Sequence, residues 1–279
     1  MSGISLQSNV ASLTAQRNVA KNSTAVNDSL SRLSSGFRIN SAMDDAAGLA
    51  VSERMKAQIK GLAQAARNAN DGLSVVQTAE GAMGEISTSL IRMRELTVQA
   101  ASDSITDTER GYLDTEFQEL SSEINRVTQS TKFNGNVLLA GAYSATGLDF
   151  QVGYENGANF RITVTIDDVS TTGLGFAGTE AVDTKANAQG AMATIDAALD
   201  SLNTARASIG AKGNRLNTAA SAVNVMHESM SAANSRIRDT DVASETSAFS
   251  RSQVLMQAGV SMLAQANAQP QLALRLLGS

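Results

Sequence analysis

The sequence predicts a mainly α protein, a long coiled-coil-like helical bundle with a small β-hairpin region and discontinuous domains built from both chain ends. Three observations predict it. Aliphatic residues recur at seven-residue intervals in both halves of the chain. Aromatics make up only 4% of the 279 residues, with no Trp. A compact core leans on such bulky groups, whereas Ala, Ser, Asn and Gln between spaced aliphatics suit thin rods packed closely. Finally, the stretch that alternates apolar and polar residues surrounds an Asn-Gly pair and lies between the heptad segments.

The first element spans residues 6 to 33, where Leu6, Val10, Leu13, Ala20, Leu30 and Leu33 mark an amphipathic helix. The next begins in "RINSAMDDAAGLAVSERM". Ser41 is read as its N-cap and Asp44 as an acid at the third helical position, the pattern of a capping box. Asp44 and Asp45 then share a first turn, where the helix dipole favours negative charge by ~0.3–1 kcal/mol each. Neighbours on a helix diverge by about 100°, so the two acids do not converge on one ligand. Met55, Leu62, Ala69, Val76, Met83 and Leu90 follow seven apart, with Ile59, Ala66 and Leu73 and then Ile86 and Met93 beside them. The companion spacing changes near Glu80, a local adjustment of the seam. Gly48, Gly72 and Gly81 stand where rods approach closely.

A third helix opens on a capping box, Thr106 with Glu109, and carries Leu113, Phe117, Leu120, Ile124 and Val127 in an a/d pattern. Asn134-Gly135 marks a turn. Phe150 and Val152 before Asn156-Gly157, and Phe160, Ile162, Val164 and Ile166 after it, read as a β-hairpin. The longest stripe is Ile195, Leu202, Ile209, Leu216, Val223, Met230 and Ile237, with Ala198, Ala205, Ala219, Met226 and Ala233 three residues after their partners. At about 1.5 Å per residue that rod runs roughly 60 Å. Burying its seven large aliphatics is worth on the order of 10–20 kcal/mol at most, so it must have neighbours. The phase breaks at "RDTD", a polar hinge where Thr240 or Asp241 caps a last helix bearing Val242, Phe249, Met256 and Leu263. Terminal helices this narrow are marginal alone and gain stability by pairing with each other or with other copies.

The domains that follow are residues 1–43 and 240–279 as two halves of one helical domain, and 44–239 as a rod. The rod's helices cover about 44–100, 106–129 and 186–238, with β structure over about 138–180.

Chemistry finds little purchase. The net charge of −5 gives no reason to expect nucleic acid as a partner. Cysteine is absent, so no disulfide framework, zinc cluster or cysteine nucleophile is available. No apolar run is long enough to insert in a membrane. The opening residues lack the basic start and apolar block of a cleaved secretory signal. The sole histidine, His227, has no second histidine at metalloprotease spacing, and no Gly-rich loop links a strand to a helix. The expectation is no enzyme, no cofactor and no metal.

"SLSRLSSGFRINSAMDDAAGLAVSERM" resembles the signature segment of bacterial flagellins. The resemblance extends through "SLQSNVASLTAQRN", "IRMRELTVQAASD", "EINRVTQSTKFNGNVLLAG" and "VLMQAGVSMLAQANAQPQLALRLL", about 1–140 and 185–279. It implies a structural subunit that polymerises into the extracellular flagellar filament for swimming, exported by the flagellar type III route without a cleaved signal. The short middle implies a minimal flagellin with the two inner domains. The implied partners are other copies of itself, an export chaperone, and the cap and hook–filament junction proteins. The Toll-like receptor that senses flagellin is a further one. In this reading Leu6, Val10, Leu13, Leu30, Leu33, Val242, Phe249, Met256 and Leu263 serve the inner tube. Leu263, Leu272, Leu274, Leu276 and Leu277 anchor the chaperone, and Arg92, Leu96 and Glu116 form the receptor patch. The alternatives are the hook–filament junction protein, which shares the terminal helices, and a coiled-coil adaptor that forms no polymer.

Overall fold

The structure, a computed structural model, describes residues 8–176 and 180–277, with side chains to residue 268. Five helices account for most of it: α1 (Val10–Ser35), α2 (Ala46–Ala100), α3 (Asp107–Ser130), α4 (Lys185–Arg238) and α5 (Val242–Leu277). Two antiparallel hairpins lie between α3 and α4 in the chain. They are β1 (Lys132–Phe133) with β2 (Asn136–Val137), and β3 (Leu148–Gln151) with β4 (Arg161–Val164). The chain divides into two compact units, one of Gln58–Glu228 and one of Met1–Ala57 with Ser229–Ser279.

The Gln58–Glu228 unit holds the sealed core. In it α2 and α4 run antiparallel. Gly72 faces Leu216, Val76 faces Gly213, and Arg94 pairs with Asp196 at 2.7 Å. The heptad residues Leu62, Val76, Met83, Leu90, Ile195, Leu202, Ile209, Leu216 and Val223 are all buried. Small residues between them set the spacing. A Cβ on Gly72 would lie 3.0 Å from the Phe150 ring, and one on Gly213 would lie 3.1 Å from Val76. Gly81, by contrast, faces open space, so close approach does not explain it.

α3 packs beside α2 in a different phase from the expected one. Its capping box forms: the Thr106 Oγ1 accepts from the Glu109 amide at 3.4 Å, and Glu109 accepts from the Thr106 amide at 2.7 Å. Its buried face is Arg110, Phe117, Ser121, Ile124 and Thr128. Leu113, Leu120 and Val127 are only half-buried along the edge of the core. The two hydroxyls can occupy the seam because the helix itself can satisfy them; Thr128 Oγ1 donates to the Ile124 carbonyl at 2.8 Å.

The β region closes one side of this core. Asn134-Gly135 forms a two-residue hairpin with both φ angles positive, 49° and 83°, the mirror-image turn that matches strand twist. In the second hairpin Phe150 pairs with Ile162 and Leu148 with Val164, and the connection spans residues 152–160. Ile162, Val164, Ile166, Val169 and Phe176 point inward. α3 ties this region down through Asn125 to Thr171, Gln118 to the Glu180 carbonyl, and Asp114 to the Val182 amide at 2.8 Å.

In the other unit α1 and α5 lie antiparallel. Asn9 caps α1 by accepting from the Ser12 amide at 3.0 Å, and its own Nδ2 donates to the Ala266 carbonyl at 2.8 Å. At the opposite end Arg32 meets Glu245 at 3.8 Å. Asp241 caps α5 through the Ala243 and Ser244 amides. Met55, Met230 and Ile237, expected in the bundle core, are half-buried here. The reason is local: α3 and the strands that cover the stripe elsewhere belong to the other unit.

Candidate functional site

The surface that asks for a partner is the outer side of the α1–α5 pair. The half-buried residues of α5 recur as Glu245, Phe249, Ser252, Met256, Gly259, Leu263 and Ala266, a seam facing α1. α1 answers with Ala15, Val19, Val26, Ser29 and Leu33. A Cβ on Gly259 would sit 2.8 Å from Val19, which fixes how close the helices come. Outside this seam the apolar side chains continue. Val10 is 65% exposed, Leu13 56%, and Leu30, Val242, Val254, Leu255, Val260 and Met262 are also open. Val10, Thr14, Asn18 and Lys21 face Leu255 and Met262 across a groove of about 710 Å³.

The residues expected to serve the inner tube thus separate into two sets. Leu33, Phe249, Met256 and Leu263 contribute to the pairing of α1 with α5, while Val10, Leu13, Leu30 and Val242 face outward. Leu6 lies outside the described residues, as do the side chains of Leu272, Leu274, Leu276 and Leu277.

Where the polypeptide leaves the helix pair, two distant segments clasp. Gly36 ends α1 in the left-handed conformation (φ 74°), its amide donating to the Arg32 carbonyl. The next residues form a short antiparallel bridge with the α4–α5 hinge. The Arg38 amide donates to the Arg238 carbonyl at 2.6 Å, and the Thr240 amide to the Gly36 carbonyl at 3.0 Å. The Arg238 guanidinium lies 4.6 Å from the centre of the Phe37 ring and pairs with Glu53 at 2.5 Å. That hydrogen bond holds the Glu53 carboxyl below its ordinary range. Ser52, fully buried, donates to Asn234 at 2.8 Å.

The signature aspartates belong to this clasp, with a correction. Ser41 does not cap α2. Its amide and hydroxyl both donate to one Asp44 oxygen, at 2.8 and 3.0 Å, and the Asn40 amide donates to the same atom at 3.1 Å. Only the Asp44 half of the expected box forms, because the Asp44 amide donates to the Ser41 carbonyl at 3.1 Å and not to its hydroxyl, and the turn it closes is an isolated one before the helix. The true cap is Asp45, whose carboxylate accepts from the Gly48 amide at 2.8 Å and whose carbonyl accepts the first helical bond from Leu49. The Ser41 amide, the Ser41 hydroxyl and then the Asn40 amide lower the Asp44 pKa. A Cβ on Gly48 would meet the Asp45 carboxylate and lie 2.9 Å from Ile39 Cδ1, so the capping side chain would have to shift to admit one. Ile39, 2% exposed, is the anchor of the turn; Met43 beside it is 94% exposed.

The receptor patch needs correction too. Leu96 is fully buried in the core of the bundle, so it offers no surface to a partner. Arg92 and Glu116 are half-exposed and pair with each other at 2.8 Å. Hydrogen bonds to Glu116 and then Glu95 (2.9 Å) raise the pKa of Arg92.

Three residues with structural work to do escaped the sequence reading. Arg110, almost wholly buried, donates to the Ala100 and Ser102 carbonyls at 2.7 Å each and so closes the C-terminal end of α2. Its place in the first turn of α3, four residues after a cap, was the available signal. Phe37 and Arg238 meet across most of the chain, and no local spacing announces them.

Family comparisons agree with this geometry. Residues 6–144 match the bacterial flagellin N-terminal helical region and residues 192–277 the bacterial flagellin C-terminal helical region. A flagellin of Halalkalibacterium halodurans is 42% identical over 269 residues, covering 96% of this chain and 98% of that one. A 30.7 kDa flagellar filament core protein of Treponema maltophilum is 39% identical over 281 residues, and a Bacillus subtilis flagellin 38% over 300, each with the same coverage. A putative flagellar hook-associated protein from Vibrio parahaemolyticus shares the fold: TM-score 0.56 at 17% identity, over 70% of this chain and 100% of that one. With both terminal helical regions matched and near-complete relatives at this identity, the chain belongs to the bacterial flagellin family.

Proposed function

We propose that this chain polymerises through the outward apolar faces of α1 and α5, with other copies of itself as the partner. As a bacterial flagellin it is a structural subunit of the flagellar filament, the extracellular propeller of swimming cells. The observation that carries the assembly surface is the exposure of Val10, Leu13, Leu255 and Met262 on a helix pair that has so little buried interior. Apolar side chains in contiguous stripes cost about 25 cal/mol per Å² while they face water, and association removes that cost. In the same reading residues 1–43 and 240–279 line the inner tube and 44–239 form the surrounding rod. The protein carries out no catalysis. That view is supported by the engagement of Asp44 and Asp45 with local amides instead of a shared ligand.

Export without a cleaved signal, an export chaperone on the last residues, and contact with cap and hook–filament junction proteins complete this reading. Recognition by the flagellin-sensing Toll-like receptor would rest on Arg92 and Glu116. In a cell reporter assay Arg92→Ala should lose potency; unchanged potency rejects that contact. For assembly, electron microscopy of the concentrated full chain should show long tubes of uniform diameter. Deleting residues 260–279 should abolish them. Filaments that persist after the deletion refute the assigned surface, and short caps in place of tubes would favour a junction protein.

A further inference from the structure

The β region carries two Asn-Gly pairs whose asparagines are exposed, and their settings differ. Such a pair can react with itself. Glycine has no Cβ, so its amide nitrogen can approach the side-chain carbonyl carbon of the preceding asparagine. Asn134 is held in the two-residue turn between β1 and β2, with φ of 49°, and cyclisation would break that turn. Asn156 lies in the longer connection between β3 and β4. There Arg161 Nη2 donates to Asn156 Oδ1 at 2.6 Å, while Arg161 Nε reaches Gln151 Oε1 at 3.3 Å. Gln151 in turn donates to the Gly153 carbonyl at 2.9 Å and the Glu155 carbonyl at 2.7 Å. The guanidinium is therefore braced by the first hairpin strand and aimed at the amide oxygen of Asn156.

We propose that Asn156 is a site of spontaneous covalent conversion, cyclising onto Gly157 with Arg161 as its electrostatic activator. The Gly157 nitrogen gives its proton to solvent and bonds to Asn156 Cγ. Negative charge gathers on Oδ1, where the Arg161 hydrogen bond already points; donors placed at a developing oxyanion lower the barrier to such an addition. The Cγ–Nδ2 bond then breaks and ammonia leaves, taking the proton it needs from water. Water adds to either carbonyl of the resulting ring and opens it to aspartate or isoaspartate. The balance is one water in and one ammonia out, with no oxidant or reductant. The product carboxylate stays beside Arg161, so a hydrogen bond becomes an ion pair. The isoaspartate form lengthens the connecting backbone by one methylene.

Asn134 provides a reference within the same molecule. The purified full-length protein is held at mildly alkaline pH and sampled over time, and each peptide is scored for the gain of about 1 Da and for isoaspartate. Asn156 should convert several-fold faster than Asn134. Arg161→Ala should slow Asn156 on the order of 5-fold and leave Asn134 unchanged. Arg161→Lys, which keeps a cation on the same strand, should fall between the two. Asn134 converting as fast as Asn156 overturns the proposal. So does an Arg161→Ala variant in which Asn156 converts at the original rate or faster, because the guanidinium then merely restrains the loop.

Discussion

The two compact units carry the same seven-residue periodicity and put it to opposite use. Between Gln58 and Glu228 the stripes of α2 and α4 meet each other, α3 and the strands, and their large residues are sealed from water. In the unit of both chain ends only Ile39, among the described residues, is a buried apolar side chain, while Val10, Leu13, Val254, Leu255 and Met262 are exposed. A stripe covered from several sides makes a core, and one with a single neighbour makes an interface. Periodicity specifies that an apolar face exists; it leaves open which molecule covers it. The clasp of Gly36, Phe37 and Arg38 with Arg238 and Thr240 gives the poorly buried unit a polar framework instead.

Variants can break this contrast in order of expected effect. Leu202→Ala removes a fully buried side chain from α4. It should cost about 2–5 kcal/mol in denaturant unfolding of the soluble chain. Gly259→Val should separate α1 from α5, since even a Cβ approaches Val19 at 2.8 Å. Hydrogen exchange should then speed up in both terminal helices, with the bundle core still protected. Asp45→Ala deletes the cap of α2 and should cost about 1 kcal/mol, read as faster exchange at the amides of Gly48 and Leu49.

Acid supplies a gentler probe. Asp44, lowered first by the Ser41 amide, and Glu53, lowered first by Arg238, both have folded-state values below their ordinary ones. Their contribution is therefore complete above the ordinary carboxylate range of about 4 and is lost as pH falls through the depressed folded values. Asp103 and Glu123, held down by Lys185 and Arg126, behave likewise in the other unit, which keeps its apolar core. Exchange followed from pH 7 downward should thus show residues 36–53 opening before the bundle. Simultaneous opening would mean that the clasp adds nothing separate.

Much of this was legible in the sequence because burial in long helices leaves a regular trace. The stripes from Leu62 to Leu90 and from Ile195 to Val223 are core, and the Asn-Gly pairs stand at hairpin connections. The failures are equally physical. α3 hides its seam because Ser121 and Thr128 are polar by type yet buried by position. Ser41 and Asp44 fit the capping pattern by residue type, but Asp44 accepts from the Ser41 amide in a turn that precedes the helix, and the next acid, Asp45, caps α2 beside Ile39. The family resemblance puts Leu96 on a surface, whereas packing in three dimensions covers it. Which apolar residues of α1 and α5 face each other could not be read, since both faces of each helix are partly apolar.

If the outer faces of the α1–α5 pair serve assembly and not folding, a paired measurement on Leu13→Ser with Met262→Ser separates the two roles. Both residues are more than half exposed, at 56% and 61%. Unfolding of the soluble chain should shift by no more than about 0.5 kcal/mol while electron microscopy finds no filaments. Filaments of normal length, or a chain that no longer folds, would contradict that division of roles.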